Sequence, residues 1–236
     1  MLEDIETNYN SVILSKIPPK IGRYVVIDTE TSGFGKYSQL LEIYAIEIID
    51  LKITENNYYA SFDIRPNSTK IYGGNKINYE SERKKLLDFI KFIGNSIVFT
   101  HNALFDLRVI NKELSYWNIP NLSINKFRCS MRIFKKIIGK ENSLYSQRFC
   151  KLKECCDYLY IFAKVEKYHN VKFDTTMTAR LICKLYQKID ENPLLYKDII
   201  LNDKQSLSDE NAEILEDKKL ITNEKDKDKG NHALNI

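Results

Sequence analysis

The sequence has 236 residues, and no apolar run in it approaches the roughly 18 consecutive residues of a membrane helix. It opens on MLEDIETNYN, too acidic and polar for a secretory leader. The expectation is therefore a protein that is neither membrane-bound nor secreted. Cysteine is scarce and odd in number, five in all, with no CxxC pair. Cys155 and Cys156 adjoin, a spacing that suits neither a zinc site nor a small disulfide framework. Reduced thiols in the cytoplasm, or in the nucleus of a eukaryotic cell, fit best. There is no internal repeat.

What is present is a divided charge. Beyond Ile189, seven Lys or Arg meet twelve Asp or Glu, while the first 189 residues carry 29 basic against 20 acidic side chains. A basic body suits a polyanion such as nucleic acid, although a solvated Lys-rich surface accounts for the count equally well. The 43% hydrophobic content supports a sizeable core. One domain with an appendage is the natural prior: an N-terminal extension over 1–22, a folded body over 23–189 and a charged, disordered tail over 190–236.

Local patterns order the body. Arg23–Asp28 reads as a buried strand, and Leu40–Asp50 and Tyr58–Ile64 as two more, joined near Glu55–Asn57 as a hairpin. Arg65–Tyr79, with Pro, Gly and Asn, reads as loop. Leu86, Phe89, Ile90 and Ile93 recur at helical spacing, ended by Gly94. Ser96–Thr100 is a fourth strand, and Leu107, Ile110, Leu114 and Trp117 trace a helix face. Phe127–Cys129 is a fifth strand, followed by helices near Met131–Ile138 and Lys151–Tyr160. A last helix over Asp174–Lys188 turns Leu181, Ile182, Leu185 and Ile189 inward. Three strands, then alternating helices and strands, make a mixed α/β sheet with helices packed on it.

The first strand ends unusually. In YVVIDTETSGF an apolar run meets Asp28 and Glu30, two apart and so on one face. Side by side, like charges repel and one should protonate. A divalent cation between them resolves this; so, more simply, does exposure at a strand end. Two further acids stand near strand ends or helix starts, Asp106 in IVFTHNALFDL and Asp174 in HNVKFDTTM. Each taken singly is explained by a helix dipole.

Together the segments D-T-E-T-S-G-F, H-N-A-L-F-D and H-N-V-K-F-D, in that order, make the chain resemble the DEDDh 3′–5′ exonuclease family over roughly Tyr24–Lys188. That family includes the proofreading ε subunits of bacterial replicases. The resemblance implies an RNase H-like fold with a five-stranded mixed sheet. It implies Asp28, Glu30, Asp106 and Asp174 as ligands of two Mg²⁺ or Mn²⁺ ions, and His169 as general base. Thr29, Thr31, Gly33 and Phe34 match the segment that receives the 3′-terminal nucleotide, Phe34 standing where the family often has a wedging leucine. His101 and Asn102 are expected to contact substrate or orient the site.

The chemistry suits these residue types. Phosphodiester hydrolysis builds negative charge on an already anionic centre, and two divalent ions stabilise both attacking and leaving oxygens. Carboxylates suit hard cations, and an imidazole can take a proton from water near neutral pH. Three departures stand out: Val171 for a small alanine, Cys129-Ser130 for Asp-Thr, and a shortened segment over Arg65–Glu80. The expected activity is release of nucleoside 5′-monophosphates from single-stranded or frayed 3′ ends of DNA. The alternatives are RNA trimming, a nucleic-acid-binding module, and an adaptor docking a DNA polymerase or sliding clamp.

Overall fold

The computed structural model describes residues 10–33, 38–65, 79–163 and 168–197. Five strands form one sheet: β1 (Arg23–Thr31), β2 (Leu40–Ile49), β3 (Lys52–Ser61), β4 (Ile97–Thr100) and β5 (Phe127–Cys129), in the order β3-β2-β1-β4-β5. Strands β1, β2 and β3 are antiparallel neighbours, whereas β4 and β5 run parallel to β1. After β1, the described residues form five α-helices: α1 (Tyr79–Ile93), α2 (Ala103–Tyr116), α3 (Ser130–Glu141), α4 (Leu152–Tyr158) and α5 (Val171–Glu191). This is the expected mixed α/β sheet flanked by helices.

The expected hairpin at Glu55–Asn57 is a correction. The chain reverses at Asp50 and Leu51, with φ of 49° and 61°, and Ile49 pairs with Lys52. Two consecutive residues at positive φ are what a two-residue hairpin of the right twist demands. Asp tolerates that region; Leu does not prefer it, which hid the turn. Glu55, Asn56 and Asn57 instead lie exposed along β3, the edge of the sheet, where solvent satisfies polar side chains.

Alternation along β1 divides the core. Val25 and Ile27 pack with Leu86, Phe89, Ile110 and Leu114 from α1 and α2. Residues of the opposite parity, Val26, Asp28 and Glu30, turn toward the face crossed by α5, which packs on β1 and β2. There Leu181, Ile182, Leu185 and Ile189 are buried, at the predicted inward spacing. Gly94, at φ 52°, closes α1 as the glycine C-cap the sequence announces.

Residues before β1 are part of this packing. Residues 10–14 are helical, Ile13, Leu14 and Ile17 are buried, and Tyr186 of α5 donates its hydroxyl to the Pro18 carbonyl. By contact, the chain divides after Asn192, with α5 ending just before it. Phe34, most of the 65–79 loop and residues 198–236, the bulk of the expected tail, lie outside the described residues.

Candidate active site

Strand β1, the helix that follows β4 and the start of α5 bring their carboxylates together. β1 brings Asp28 and Glu30. β4 ends at Thr100, and two residues later Asn102 starts α2, placing Asp106 in its first turn. The first turn of α5 supplies Asp174. Asp106 is 3% exposed and is held by two hydroxyls: Thr29 donates to Oδ1 at 2.7 Å, and Thr100 donates to Oδ2. Thr29 lies on the face of β1 opposite Asp28, so one strand both presents a carboxylate and fixes another.

The charges see one another. Burial pushes the Asp28 carboxyl well above its ordinary range, and the nearby Asp106, Asp174 and Glu30 carboxylates push it further. Asp106 is raised to about 6 by burial, against the pull of its two threonine hydroxyls. Glu30 is raised by burial, by Asp174 and by Glu42, its cross-strand partner, while His169 opposes them. Asp174 is raised by burial and held down by the His169 N–H and the His169 ring. Groups so perturbed by each other gather where chemistry is done.

His169 sits in the left-handed region, φ 69°, with an exposed side chain. Its backbone N–H donates to Asp174 Oδ2 at 3.0 Å. The loop around it is pinned: Asn170 caps α5 by accepting from the Phe173 N–H at 3.1 Å, and Tyr168 meets the Phe173 ring edge-on, centroids 5.0 Å apart. The other oxygen of Asp174, Oδ1, is buried with no hydrogen-bond partner.

That orphaned oxygen bears on metal binding. Among the described residues no three His, Cys, Asp or Glu groups stand closed around one point as a finished cage, as expected of carboxylates that repel without a countercharge. The donors nevertheless fit a hard divalent cation. They are all carboxylate oxygens, mutually destabilised, and one is buried without a donor. Asp28, Glu30, Asp106 and Asp174 are the residues that could hold it.

Other predicted residues take different places. The Thr29 hydroxyl is spent on Asp106, and Thr31 donates to the Gly33 carbonyl at 2.9 Å. Gly33, at φ 147°, adopts a conformation reserved for glycine. Asn102 is exposed, and its side chain makes no capping bond to α2. Both ring nitrogens of His101 are engaged internally, Nδ1 with the Ser130 hydroxyl at 2.9 Å and Nε2 with the Cys150 carbonyl at 3.0 Å. A carbonyl only accepts, so Nε2 carries the proton and Nδ1 accepts from Ser130. Burial drops this ring's pKa to about 4, leaving it neutral.

Sequence reasoning passed over Thr100 and Ser130. Their signal was slight, a hydroxyl residue at the end of each of two short strands. The Cys129-Ser130 departure is coherent in the fold, since Ser130 Oγ meets the His101 ring and Cys129 Sγ lies 3.1 Å from the His101 carbonyl.

Comparison with known proteins agrees. A family model described as exonuclease, RNase_T, matches residues 25–182. DNA polymerase III subunit epsilon of Buchnera aphidicola from Acyrthosiphon pisum is 32% identical over 182 residues, covering 70% of this chain and 71% of its own. The same subunit from the Schizaphis graminum strain is 30% identical over 187 residues, covering 70% and 72%. Among solved structures, the Neurospora crassa Pan2 catalytic unit aligns with 19% identity and a TM-score of 0.45, over 78% of this chain and 30% of that one.

Proposed function

The chain belongs to the exonuclease family, as a DEDDh 3′–5′ exonuclease of RNase H-like fold, and we propose that it removes nucleotides from single-stranded or frayed 3′ ends of DNA in a proofreading role. The observation that carries this reading is the gathering of four carboxylates with His169 beside Glu30 and Asp174, each acid raising or being raised by another. Binding energy and geometry are useless to a hydrolase unless the attacking water is also activated, and the set supplies both parts.

The division of labour follows from the contacts. Bound divalent ions, two Mg²⁺ or Mn²⁺ in this reading, supply charge stabilisation for the attacking and leaving oxygens. Asp28, Glu30, Asp106 and Asp174 would hold them. Thr29 and Thr100 orient the two oxygens of Asp106 and favour its ionised form. His169 takes the proton from the attacking water and later returns it to solvent, its side chain exposed toward the space beside Glu30. The turn after Glu30, with Thr31 and Gly33, receives the terminal nucleotide through its backbone, Phe34 stacks on the last base, and Asn102 contacts the strand. His101 acts through Ser130 and the Cys150 carbonyl as a positioning residue.

Association with a DNA polymerase belongs to this reading because the relatives bear the name of a polymerase subunit. The test is digestion of matched 5′-labelled DNA and RNA strands, with free or blocked 3′ ends, in Mg²⁺ or chelator. Stepwise shortening of free-ended DNA, abolished by the block and by chelator, is expected. Internal cleavage of blocked strands, or faster loss of RNA than of DNA, would overturn the assignment.

A further inference from the structure

Helix α3 carries Arg132, Lys135, Lys136 and Lys140 at spacings of three, four and eight, one face of a helix. These four line a cleft of about 390 Å³. The opposite wall is Phe149, 45% exposed, whose ring lies 4.9 Å from the Arg132 guanidinium and 4.7 Å from the Lys135 ammonium. Ser11 closes one end, accepting from Arg132 at 2.8 Å.

The cleft is constructed by a glycine. A Cβ at Gly139 would fall 3.0 Å from Ser146 Cα and 3.2 Å from its nitrogen, so a larger residue here would press this loop away from α3. Glycine inside a helix is destabilising relative to alanine. Here it allows the approach that brings the loop leading to Phe149 against the basic face.

The cleft is also tied to the carboxylates. His101 bonds Ser130 at the start of α3 and the Cys150 carbonyl, one residue after Phe149. It directly follows Thr100, which holds Asp106. Arg132 and Phe149 are therefore within two residues of groups anchored to the end of β4. From Arg132 to Lys140 the helix extends about 12 Å, a basic track leading away from the site.

We propose that this cleft is a second nucleic-acid contact, receiving the sugar–phosphate backbone of the strand leading into the active site, with Phe149 as a base-stacking platform. Cations tracking a backbone beside an aromatic face are the two elements of sequence-tolerant single-strand binding. The inference rests on the exonuclease reading but concerns affinity for long strands. A free mononucleotide or pyrophosphate offers the same phosphate chemistry, and the experiment separates these sources.

The double variant Lys135→Gln/Lys140→Gln and the single variant Phe149→Ala are compared with the full-length wild type. Affinity for a long single strand is read by fluorescence anisotropy in chelator over a range of salt. The double variant should flatten the plot of log affinity against log salt by roughly 1.4, at about 0.7 per cation removed. Phe149→Ala should weaken binding roughly 5- to 150-fold, the scale for losing one stacked base. Turnover of a thymidine monophosphate nitrophenyl ester and the melting temperature should stay at wild-type values. Unchanged slope and affinity would overturn the proposal. So would pyrophosphate or thymidine monophosphate binding weakened as much as the long strand, which would make the cleft a mononucleotide site. If the wild type fails to turn over the ester, the exonuclease reading fails instead, independently of the cleft.

Discussion

The backbone N–H of His169 donates to the carboxylate of Asp174 at 3.0 Å. Its main chain thereby fixes a candidate metal ligand, while its exposed imidazole is the group we propose for proton transfer. Removing the side chain should leave the main-chain bond intact. We expect His169→Ala to slow hydrolysis by roughly 10²–10⁴-fold, the usual loss for a general base, with strand affinity unchanged. Because the residue sits at φ 69°, His169→Gly is the control for backbone strain. The two variants should be equally slow; a glycine variant near wild-type rate would leave the imidazole without a role.

Asp28 should trade stability for activity. Its folded-state pKa lies above its unfolded value, for burial and three neighbouring carboxylates oppose its charge. Its ionised form is therefore a cost to the fold at neutral pH, and that cost fades as pH falls through the raised pKa. Asp28→Asn should melt several degrees higher than wild type in chelator at neutral pH, with the gap closing on acidification. Added Mg²⁺ should raise the melting point of wild type more than that of the variant, and the variant should be inactive. A variant melting below wild type in chelator would contradict the account.

Asp106 depends on its hydroxyls. Thr100→Val keeps the shape and removes the donor to Oδ2. Loss of such a supporting bond typically weakens metal affinity or activity about 10–100-fold, so half-maximal rate should need that much more Mg²⁺. Thr100→Ser should restore the wild-type requirement. Equal Mg²⁺ titrations for all three would show that the hydroxyl does not act on the ligand.

His101 sets an acid limit on the fold. Its pKa is near 4 when folded and near 6.5 when free, so the unfolded chain takes up a proton the native state refuses. The stability it contributes is complete above pH 6.5 and is lost as pH falls toward 4, about 3 kcal/mol at most. Subtracting His101→Gln, which does not titrate, cancels the opposing contribution of the carboxylates. Parallel denaturation curves for the two proteins from pH 7 to 4 would contradict the assignment.

Much of this site could be read from the chain because its carboxylates are tied to element ends. Asp28 and Glu30 close an apolar run, and Asp106 and Asp174 open amphipathic helices, all local patterns. What stayed hidden is what depends on burial and on distant partners. For His101, expected to contact substrate or orient the site, nothing local reveals that Ser130 and the Cys150 carbonyl occupy its two nitrogens. Thr29 looked like a nucleotide contact because its bond to Asp106 spans 77 residues. The Asp50-Leu51 turn was missed because leucine carries no turn signal, whereas the polar Glu55–Asn57 stretch carries a false one.

The position of β1 between the two halves of the sheet decides when the protein becomes active. Its antiparallel side closes locally, through a two-residue turn between β2 and β3 and a short connection from β1. Its parallel side, and the docking of α5 that bonds Thr175 to the Tyr44 carbonyl across 131 residues, must wait for distant chain. Contacts of long sequence separation form late because loop closure must come first. We therefore expect Asp28 and Glu30 to be in place early and their partner Asp174 to arrive last. A chain in which α5 has not docked would lack Asp174 and His169 at the site, and we expect it to be inactive until that helix is in place.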